Sequence, residues 1–192
     1  MTNTAPPRRP KITGEDRLPG DLTREQMIAR ILRVDHAGEY GAKRIYDGQL
    51  AVLGQKAAGG AIKQMAAAEE RHLQTFDRLL IERQVRPTAL SPFWHVAGFA
   101  LGAASALMGE RAAMACTVAV EEVIEEHYAK QAAQLGDDEA DLRRTIEEFG
   151  AEETEHKETG LAHHATQAPA YEPMTALVKK GTRLAIWLSE RI

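Results

Sequence analysis

Residues 69–72 read Glu-Glu-Arg-His and residues 153–156 read Glu-Thr-Glu-His, and both contain the pattern Glu-x-x-His. Among all the glutamates of the chain, only these two are followed by a histidine three residues later. Residues three apart in a helix lie on neighbouring turns of one face, so each pattern directs a carboxylate and an imidazole to the same point. The two stretches therefore predict two helices that each supply a pair of metal ligands.

A further glutamate precedes each pair, within a stretch that reads as another helix. Glu39 and Glu121 are 82 positions apart, and Glu69 and Glu153 are 84 positions apart, so the chain reads as two similar helical hairpins. Four glutamates and two histidines from four helices are the ligand set of ferritin-like di-iron and di-manganese bundles. We therefore predict an all-α fold, a ferritin-like four-helix bundle with additional apolar and amphipathic helices.

Three of these ligands have an acidic neighbour, so helical periodicity must decide which carboxylate faces inward. Glu69 shares its helix face with apolar residues, whereas Glu70 lies beside polar ones. A carboxylate on an apolar face is costly unless a cation pairs with it. The same argument rejects Glu122 and Glu155 as inward-facing residues. The predicted metal ligands are Glu39, Glu69, His72, Glu121, Glu153 and His156.

The composition is that of an ordinary globular protein. The chain has 192 residues, of which 44% are hydrophobic and 27% charged, and its formal net charge is −4. It is long enough to bury a core, and the absence of excess positive charge argues against nucleic-acid binding. The single cysteine, Cys116, excludes a disulfide framework and any rubredoxin-like site of cysteine ligands.

Residues 1–20 are polar and rich in proline, and they contain no apolar stretch of the kind found in signal peptides. We predict that they form a disordered tail, followed by a single ferritin-like di-iron domain over residues 21–192. Glu15 and Asp16 in this short tail argue against a mitochondrial transit peptide. We therefore expect a bacterial protein.

Helical periodicity predicts four bundle helices over residues 23–53, 61–85, 110–135 and 138–165. Thr23, with Gln26 three residues later, predicts a capping box at the start of the first helix. Within this helix Gly38 and Gly41 each cost about 1 kcal/mol of helix stability relative to alanine. We expect the close approach of a neighbouring helix or of a metal-bound ligand to compensate, and simple tight packing is the alternative.

A segment without charged side chains covers residues 87–109 and is rich in alanine and glycine. Its length approaches that of a membrane span, which is about 20 residues. His95 and the small residues favour a helix that lies at the membrane interface without crossing it, and an internal helix packed under the bundle is the alternative. The side chains expected to reach the lipid are Phe93, Trp94, Phe99, Leu101, Leu107 and Met108.

The last segment, residues 174–192, alternates apolar and basic residues. Leu184 and Trp187 are among the apolar ones, and Lys179, Lys180 and Arg183 are the basic ones. A basic amphipathic helix can bind an anionic membrane, and it can equally cap the bundle. The sequence alone favours neither.

Several stretches together resemble a known family. Residues 33–42 read Arg-Val-Asp-His-Ala-Gly-Glu-Tyr-Gly-Ala, residues 116–122 read Cys-Thr-Val-Ala-Val-Glu-Glu, and residues 188–191 read Leu-Ser-Glu-Arg. With the second Glu-x-x-His, they resemble the demethoxyubiquinone hydroxylase family over nearly everything after residue 20. The resemblance implies that two iron ions bind at the six predicted ligands.

The same resemblance implies roles for residues outside the ligand set. His127 and Tyr128 match a histidine–tyrosine pair of the family, which implies that they act beside the metal or the substrate. With Glu39 and Glu121, they are the expected catalytic residues. The alternative for His127 is a histidine on the helix surface. The chain departs from the family at Trp187, where many members have tyrosine.

The implied activity is that of a monooxygenase. It would hydroxylate the ring of a polyprenylated demethoxy-quinol, the penultimate step of ubiquinone synthesis, with dioxygen and an external electron donor such as NADH or a reduced flavin. The chain contains no Gly-x-Gly-x-x-Gly motif for a bound dinucleotide. The expected partners are the quinol, accessory proteins of ubiquinone biosynthesis and the cytoplasmic surface of a bacterial cell membrane. Iron storage or peroxide scavenging, as in ferritin or rubrerythrin, and a structural membrane-bound scaffold are the alternatives.

Overall fold

A computed structural model of the chain describes residue 18 and residues 20–192. The predicted disordered tail therefore lies almost entirely outside the described residues. The described part contains six α-helices and no β-strand, which confirms the predicted all-α bundle. The helices are α1 (Arg24–Leu53), α2 (Gly59–Glu82), α3 (Ser91–Leu107), α4 (Glu110–Ala132), α5 (Ala140–Ala162) and α6 (Tyr171–Ser189).

The predicted limits are accurate for both ends of α1 and for the start of α4, and they are less accurate for the ends of the other bundle helices. The side chain of Thr23 accepts a hydrogen bond from the Gln26 backbone, and the Gln26 side chain accepts one from Thr23, as the capping box requires. By contrast, α2, α4 and α5 end three residues before the predicted limits at 85, 135 and 165. After α2 the chain turns through Gln84, whose φ of 54° is incompatible with a continuing helix.

α5 begins at Ala140, two residues after the predicted start near residue 138, because a 3₁₀ turn, Asp137–Glu139, precedes the helix. Glu139 leaves the helical conformation, with a φ of −122° and a ψ of 35°. Its carboxylate accepts hydrogen bonds from Arg24 in α1 and Arg83 beyond α2. This ion cluster joins three elements at one end of the bundle.

Helices α1, α2, α4 and α5 form the bundle. α1 and α4 run antiparallel, because Gln131 donates to Asp35 near one end and Gln49 donates to the Ala113 carbonyl near the other. Each also forms an antiparallel hairpin with the helix that follows it in the bundle. The two hairpins predicted from the sequence are therefore present.

Two apolar clusters fill the bundle, one on each side of a belt of buried acidic residues. Along α1, Leu32 and Tyr46 each lie seven residues from Glu39, which occupies the belt. The clusters keep water from the belt on both sides. The first cluster includes Tyr46, Ile62, Met65 and Met114, and the second includes Leu32, Phe76, Ile146 and Phe149.

α3 packs along α1 through glycines of both helices. A Cβ atom at Gly102 would lie 1.9 Å from the backbone oxygen of Ile45, and one at Gly48 would lie 2.2 Å from the backbone oxygen of Phe99. No side chain fits at these positions, so glycine allows the two backbones to touch.

The explanations offered for Gly38 and Gly41 are wrong. A Cβ atom at either position would meet no atom of the described residues within 4 Å. Neither glycine thus needs to be small for close approach or for tight packing. The contact between α1 and its neighbour lies instead at Gly48, Gly98 and Gly102.

The outward face of α3 is apolar and exposed, so α3 is a surface helix and not the internal helix of the alternative prediction. Two of the six side chains expected to reach lipid are only partly exposed: Leu101 packs against a buried cluster, and Trp94 donates its indole N–H to Ser189 of α6. No helix in residues 20–192 is both long enough and apolar enough to traverse a bilayer.

α6 caps the bundle. Lys179 and Arg183 form ion pairs with Glu122 and Glu126 of α4, at the same four-residue spacing in both helices. Two of the three basic residues that could have faced an anionic membrane are therefore used within the protein. The outward stripe of the helix is apolar and contains Leu177, Leu184 and Trp187.

We expect Gly102→Ala to destabilise the metal-free protein by about 1–3 kcal/mol, because the new methyl group pushes α3 away from α1. Gly38→Ala is the matched control, since its methyl group enters open space and alanine is the better helix former. Urea unfolding of both variants measures the difference. Equal stability of the two would mean that the glycine contact does not set the distance between α3 and α1.

Candidate metal centre

The six predicted ligands all lie in the acidic belt. Two come from the first halves of the hairpins, on α1 and α4, and the Glu-x-x-His pairs come from α2 and α5. All six are buried, whereas Glu122 and Glu155 are exposed, so helical periodicity selected the inward carboxylates correctly. The exposed fractions are 2% for Glu39, 0% for Glu69, 0% for His72, 1% for Glu121, 1% for Glu153 and 7% for His156.

The six residues form two overlapping groups, each able to hold a metal ion. Glu39 and His72 belong to one group, Glu121 and His156 to the other, and Glu69 and Glu153 belong to both. Within each group one ligand atom per residue lies within 4.8 Å of the others. The arrangement suits two ions that share the carboxylates of Glu69 and Glu153.

Both histidines turn the same nitrogen toward the carboxylates. Nδ1 of His72 lies 3.2 Å from Glu39 Oε2 and 3.2 Å from Glu153 Oε1. Nδ1 of His156 lies 3.1 Å from Glu153 Oε2 and 3.2 Å from Glu69 Oε1. The two Nδ1 atoms are therefore the ones available to a metal.

Positive charge is scarce among these carboxylates. Burial and the charge of Glu153 raise the pKa of both Glu69 and Glu121 well above the ordinary glutamate value. Burial also opposes ionisation of Glu153, but hydrogen bonds from His156 and His72 outweigh it and lower the pKa of Glu153 to about 2. Burial lowers the pKa of His72, and its hydrogen bonds to Glu153 and Glu39 raise it to about 10. Protons thus carry the balancing charge in the metal-free protein.

Unpaired atoms show that a cation fits this belt. Neither carboxylate oxygen of Glu69 has a hydrogen-bond partner among the described residues, since the nearby His156 Nδ1 lacks hydrogen-bond geometry. Glu121 Oε2 also has none. Buried polar atoms without partners cost free energy, and a metal ion bound by oxygen and nitrogen removes that cost.

Two tyrosines donate hydrogen bonds to the two glutamates that belong to only one ligand group each. Tyr46 lies seven residues after Glu39 and donates a hydrogen bond of 2.6 Å to Glu121 Oε1 in the other hairpin. Tyr128 lies seven residues after Glu121 and donates to Glu39 Oε1. Burial raises the pKa of both phenols, which keeps them protonated as donors.

Tyr46 is not among the residues predicted from the sequence, although a signal was present. Tyr46 and Tyr128 are 82 positions apart, the same separation as Glu39 and Glu121. The shared separation relates the two tyrosines in the same way as the two glutamates.

His127 lies apart from the six residues. Its Nε2 is 2.9 Å from Gln131 Nε2, and Gln131 donates to the buried carboxylate of Asp35. His127 also lines a small surface cavity with Arg30 and Lys130. Of the predicted histidine–tyrosine pair, the structure brings only Tyr128 to the acidic belt, and a role for His127 stays a prediction.

The chain matches the profile of the family described as Ubiquinone biosynthesis protein COQ7 over residues 26–189. The chain belongs to this family. The resemblance found in the sequence motifs is thereby confirmed, and all six residues of the acidic belt lie inside the matched region.

Named relatives in bacteria and eukaryotes agree with this assignment. The 3-demethoxyubiquinol 3-hydroxylase of Rhodospirillum rubrum is 57% identical over 181 residues, covering 94% of this chain and 85% of the relative. The mitochondrial NADPH-dependent 3-demethoxyubiquinone 3-hydroxylase of Dictyostelium discoideum is 54% identical and covers 88% and 79%. The human protein of the same name is 50% identical and covers 86% and 78%.

We expect the metal-free protein to lose stability as the pH rises from 6 to 9. In the folded state the pKa of His72 rises from 6.5 to about 10, and burial raises the pKa of Glu69 and Glu121 well above 4.5. The folded state therefore binds more protons throughout this range, so its stability falls with pH. The lowered pKa of Glu153 acts only below pH 4.5.

Thermal unfolding followed by circular dichroism measures this effect with and without manganese(II). The ion replaces the protons and binds the folded state, so it should raise the midpoint most at high pH. A midpoint of the metal-free protein that is constant or rises between pH 6 and 9 would contradict the charge balance described above.

Proposed function

We propose that this chain is a di-iron monooxygenase that hydroxylates the ring of a polyprenylated demethoxy-quinol. The observation that carries the proposal is the pair of overlapping ligand groups, which share Glu69 and Glu153. Glu39 with His72 would complete one iron position, and Glu121 with His156 would complete the other. The names of the relatives supply the substrate class.

The donor set suits iron. Carboxylate and imidazole ligands favour iron and manganese over the soft metals that prefer thiolates, and no cysteine contributes to either group. Two irons, when bound, supply the electrons that activate dioxygen. The protein supplies the rest: ligands from four helices, a water-poor interior and fixed hydrogen bonds.

The phenols of Tyr46 and Tyr128 orient the outer carboxylates. Each donates to the Oε1 atom of a glutamate in the opposite hairpin. The hydrogen bonds fix the orientation of both carboxylates and draw on the electron density of Oε1, so Oε2 of Glu39 and of Glu121 would be the better oxygen for a metal ion.

The overall reaction needs a reductant from outside the chain. One oxygen atom of dioxygen enters a ring C–H bond to give a C–OH group, and the other leaves as water after taking up two electrons and two protons. NADH or a reduced flavin would supply the electrons. Several mitochondrial relatives are named NADPH-dependent, which supports a nicotinamide donor.

An apolar surface formed by α3 and α6 suits a substrate that resides in a membrane. Phe93, Val96 and Leu107 on α3 are 60, 66 and 76% exposed, and Leu184 and Trp187 on α6 are 56 and 51% exposed. Apolar side chains on a helix that lies flat can enter the boundary of the acyl chains. We propose that this surface binds the cytoplasmic face of a bacterial cell membrane, and accessory proteins of ubiquinone synthesis stay a prediction.

We expect Glu121→Gln to bind fewer than two irons and to turn over a demethoxy-quinol more than about 100-fold more slowly, because it weakens a ligand of the reacting metal. Glu122→Gln is the matched control, since Glu122 is the exposed neighbour on the same helix. The measurements are iron content and mass spectrometry of the product after reaction under ¹⁸O₂.

One ¹⁸O atom in the ring hydroxyl of the wild-type product supports the proposal. Oxidation of iron without a hydroxylated product would instead identify an iron-storage or peroxide-scavenging protein. Loss of iron in Glu122→Gln but not in Glu121→Gln would mean that the ligand assignment is wrong.

We expect Phe93→Glu with Val96→Glu to weaken binding to anionic liposomes at least about 10-fold, because two charges would enter the acyl boundary. Iron content and turnover of a short-chain quinol should persist, while turnover of a long-chain quinol should fall. Ile81→Glu with Leu161→Glu is the control, since these exposed apolar residues lie on α2 and α5. Equal effects of the two double variants would contradict a membrane surface on α3.

A further inference from the structure

His72 is held from both sides of its ring. Its Nδ1 faces Glu39 and Glu153, while its Nε2 lies 3.1 Å from Oε2 of Glu152 on α5. The ring itself is fully buried and stacks on Phe149 at a centroid distance of 3.9 Å. Glu152 therefore contacts the one edge of the imidazole that the metal ligands leave free.

Glu152 is itself anchored. The same Oε2 atom accepts a hydrogen bond of 2.9 Å from Nη2 of Arg71, the residue before His72. The Glu152 side chain is 26% exposed and that of Arg71 is 63% exposed, so the ion pair closes the site toward solvent. A carboxylate in this position accepts a hydrogen bond from Nε2–H, and it thereby favours the tautomer whose Nδ1 lone pair is free for a metal.

The second histidine has no equivalent partner. No side chain in residues 20–192 forms a hydrogen bond with Nε2 of His156, whose ring is 8% exposed. Glu152 directly precedes the shared ligand Glu153, and the residue that directly precedes Glu69 is Ala68, which has no polar group. The two hairpins match in ligands and tyrosines, but they differ at this position.

We propose that Glu152 is a positioning residue that fixes the ring and the tautomer of His72, so that the Glu39–His72 metal position binds its ion more tightly and fills before the Glu121–His156 position. The inference rests on the proposed metal centre. Carboxylate partners of this kind raise the basicity of a histidine ligand, and their loss typically weakens metal binding about 10–100-fold.

The test is an anaerobic titration of metal-free protein with manganese(II), followed by electron paramagnetic resonance, which separates isolated ions from coupled pairs. Wild type should show an isolated ion at one equivalent and a coupled pair at two. Glu152→Ala should weaken the tighter dissociation constant about 10–100-fold and leave the weaker one within about threefold, so that isolated ions no longer accumulate first.

Three further variants separate positioning from a structural role. Glu152→Gln keeps an oxygen that accepts from Nε2 and should restore much of the affinity. Glu155→Ala removes an exposed carboxylate from the same helix and should bind like wild type. Arg71→Ala breaks the ion pair, leaves the contact between Glu152 and His72, and should weaken binding less than Glu152→Ala does.

Two results would overturn the inference. One is a Glu152→Ala protein with both dissociation constants unchanged. The other is an equal effect of Arg71→Ala and Glu152→Ala on both dissociation constants, together with lower unfolding midpoints of both metal-free variants. Glu152 would then only link α2 to α5 and would not position His72. Wild type that binds fewer than two manganese ions would instead overturn the metal centre itself, and this inference with it.

Discussion

Four carboxylates buried in one belt of a helical bundle are the constraint on which the rest of the structure depends. Removing a carboxylate from water costs several kcal/mol unless positive charge compensates, and four at close range also repel one another. In the metal-free chain, protons on Glu69, Glu121 and His72 supply part of this compensation. Two divalent cations would supply it fully.

The surrounding structure shields this belt from water and holds its helices in place. Apolar clusters on both sides limit the access of water, and the ion cluster around Glu139 fixes the ends of three elements. α3 follows the bundle only because glycines allow it to touch α1. It thereby brings an apolar surface to a protein whose proposed substrate has a long apolar tail.

The two helical hairpins repeat the same pattern of site residues, and each contacts the site residues of the other. Each hairpin carries Glu, Tyr and Glu-x-x-His, and each tyrosine reaches the glutamate of the opposite hairpin. Neither half therefore completes its own site. The two halves differ at Glu152, because the matching residue in the first hairpin is Ala68. In our proposal this difference determines which metal position fills first.

Much of the site could be predicted from the sequence because it follows from helical periodicity. Glu-x-x-His and the choice of Glu121 over Glu122 depend only on which residues share a face of one helix. Glu152 could not be found in this way, because its contact with His72 depends on the register between α2 and α5. The same limit explains the error at Gly38 and the partial burial of Trp94, where the position of α3 relative to its neighbours decides what each residue contacts.

Anomalous diffraction at the iron edge from crystals of the iron-loaded protein locates the metal ions directly. We expect two peaks about 3–4 Å apart. One should lie beside Glu39 and His72 and the other beside Glu121 and His156, with Glu69 and Glu153 between them. A single peak, or peaks away from this belt, would mean that the six buried residues do not hold two metal ions.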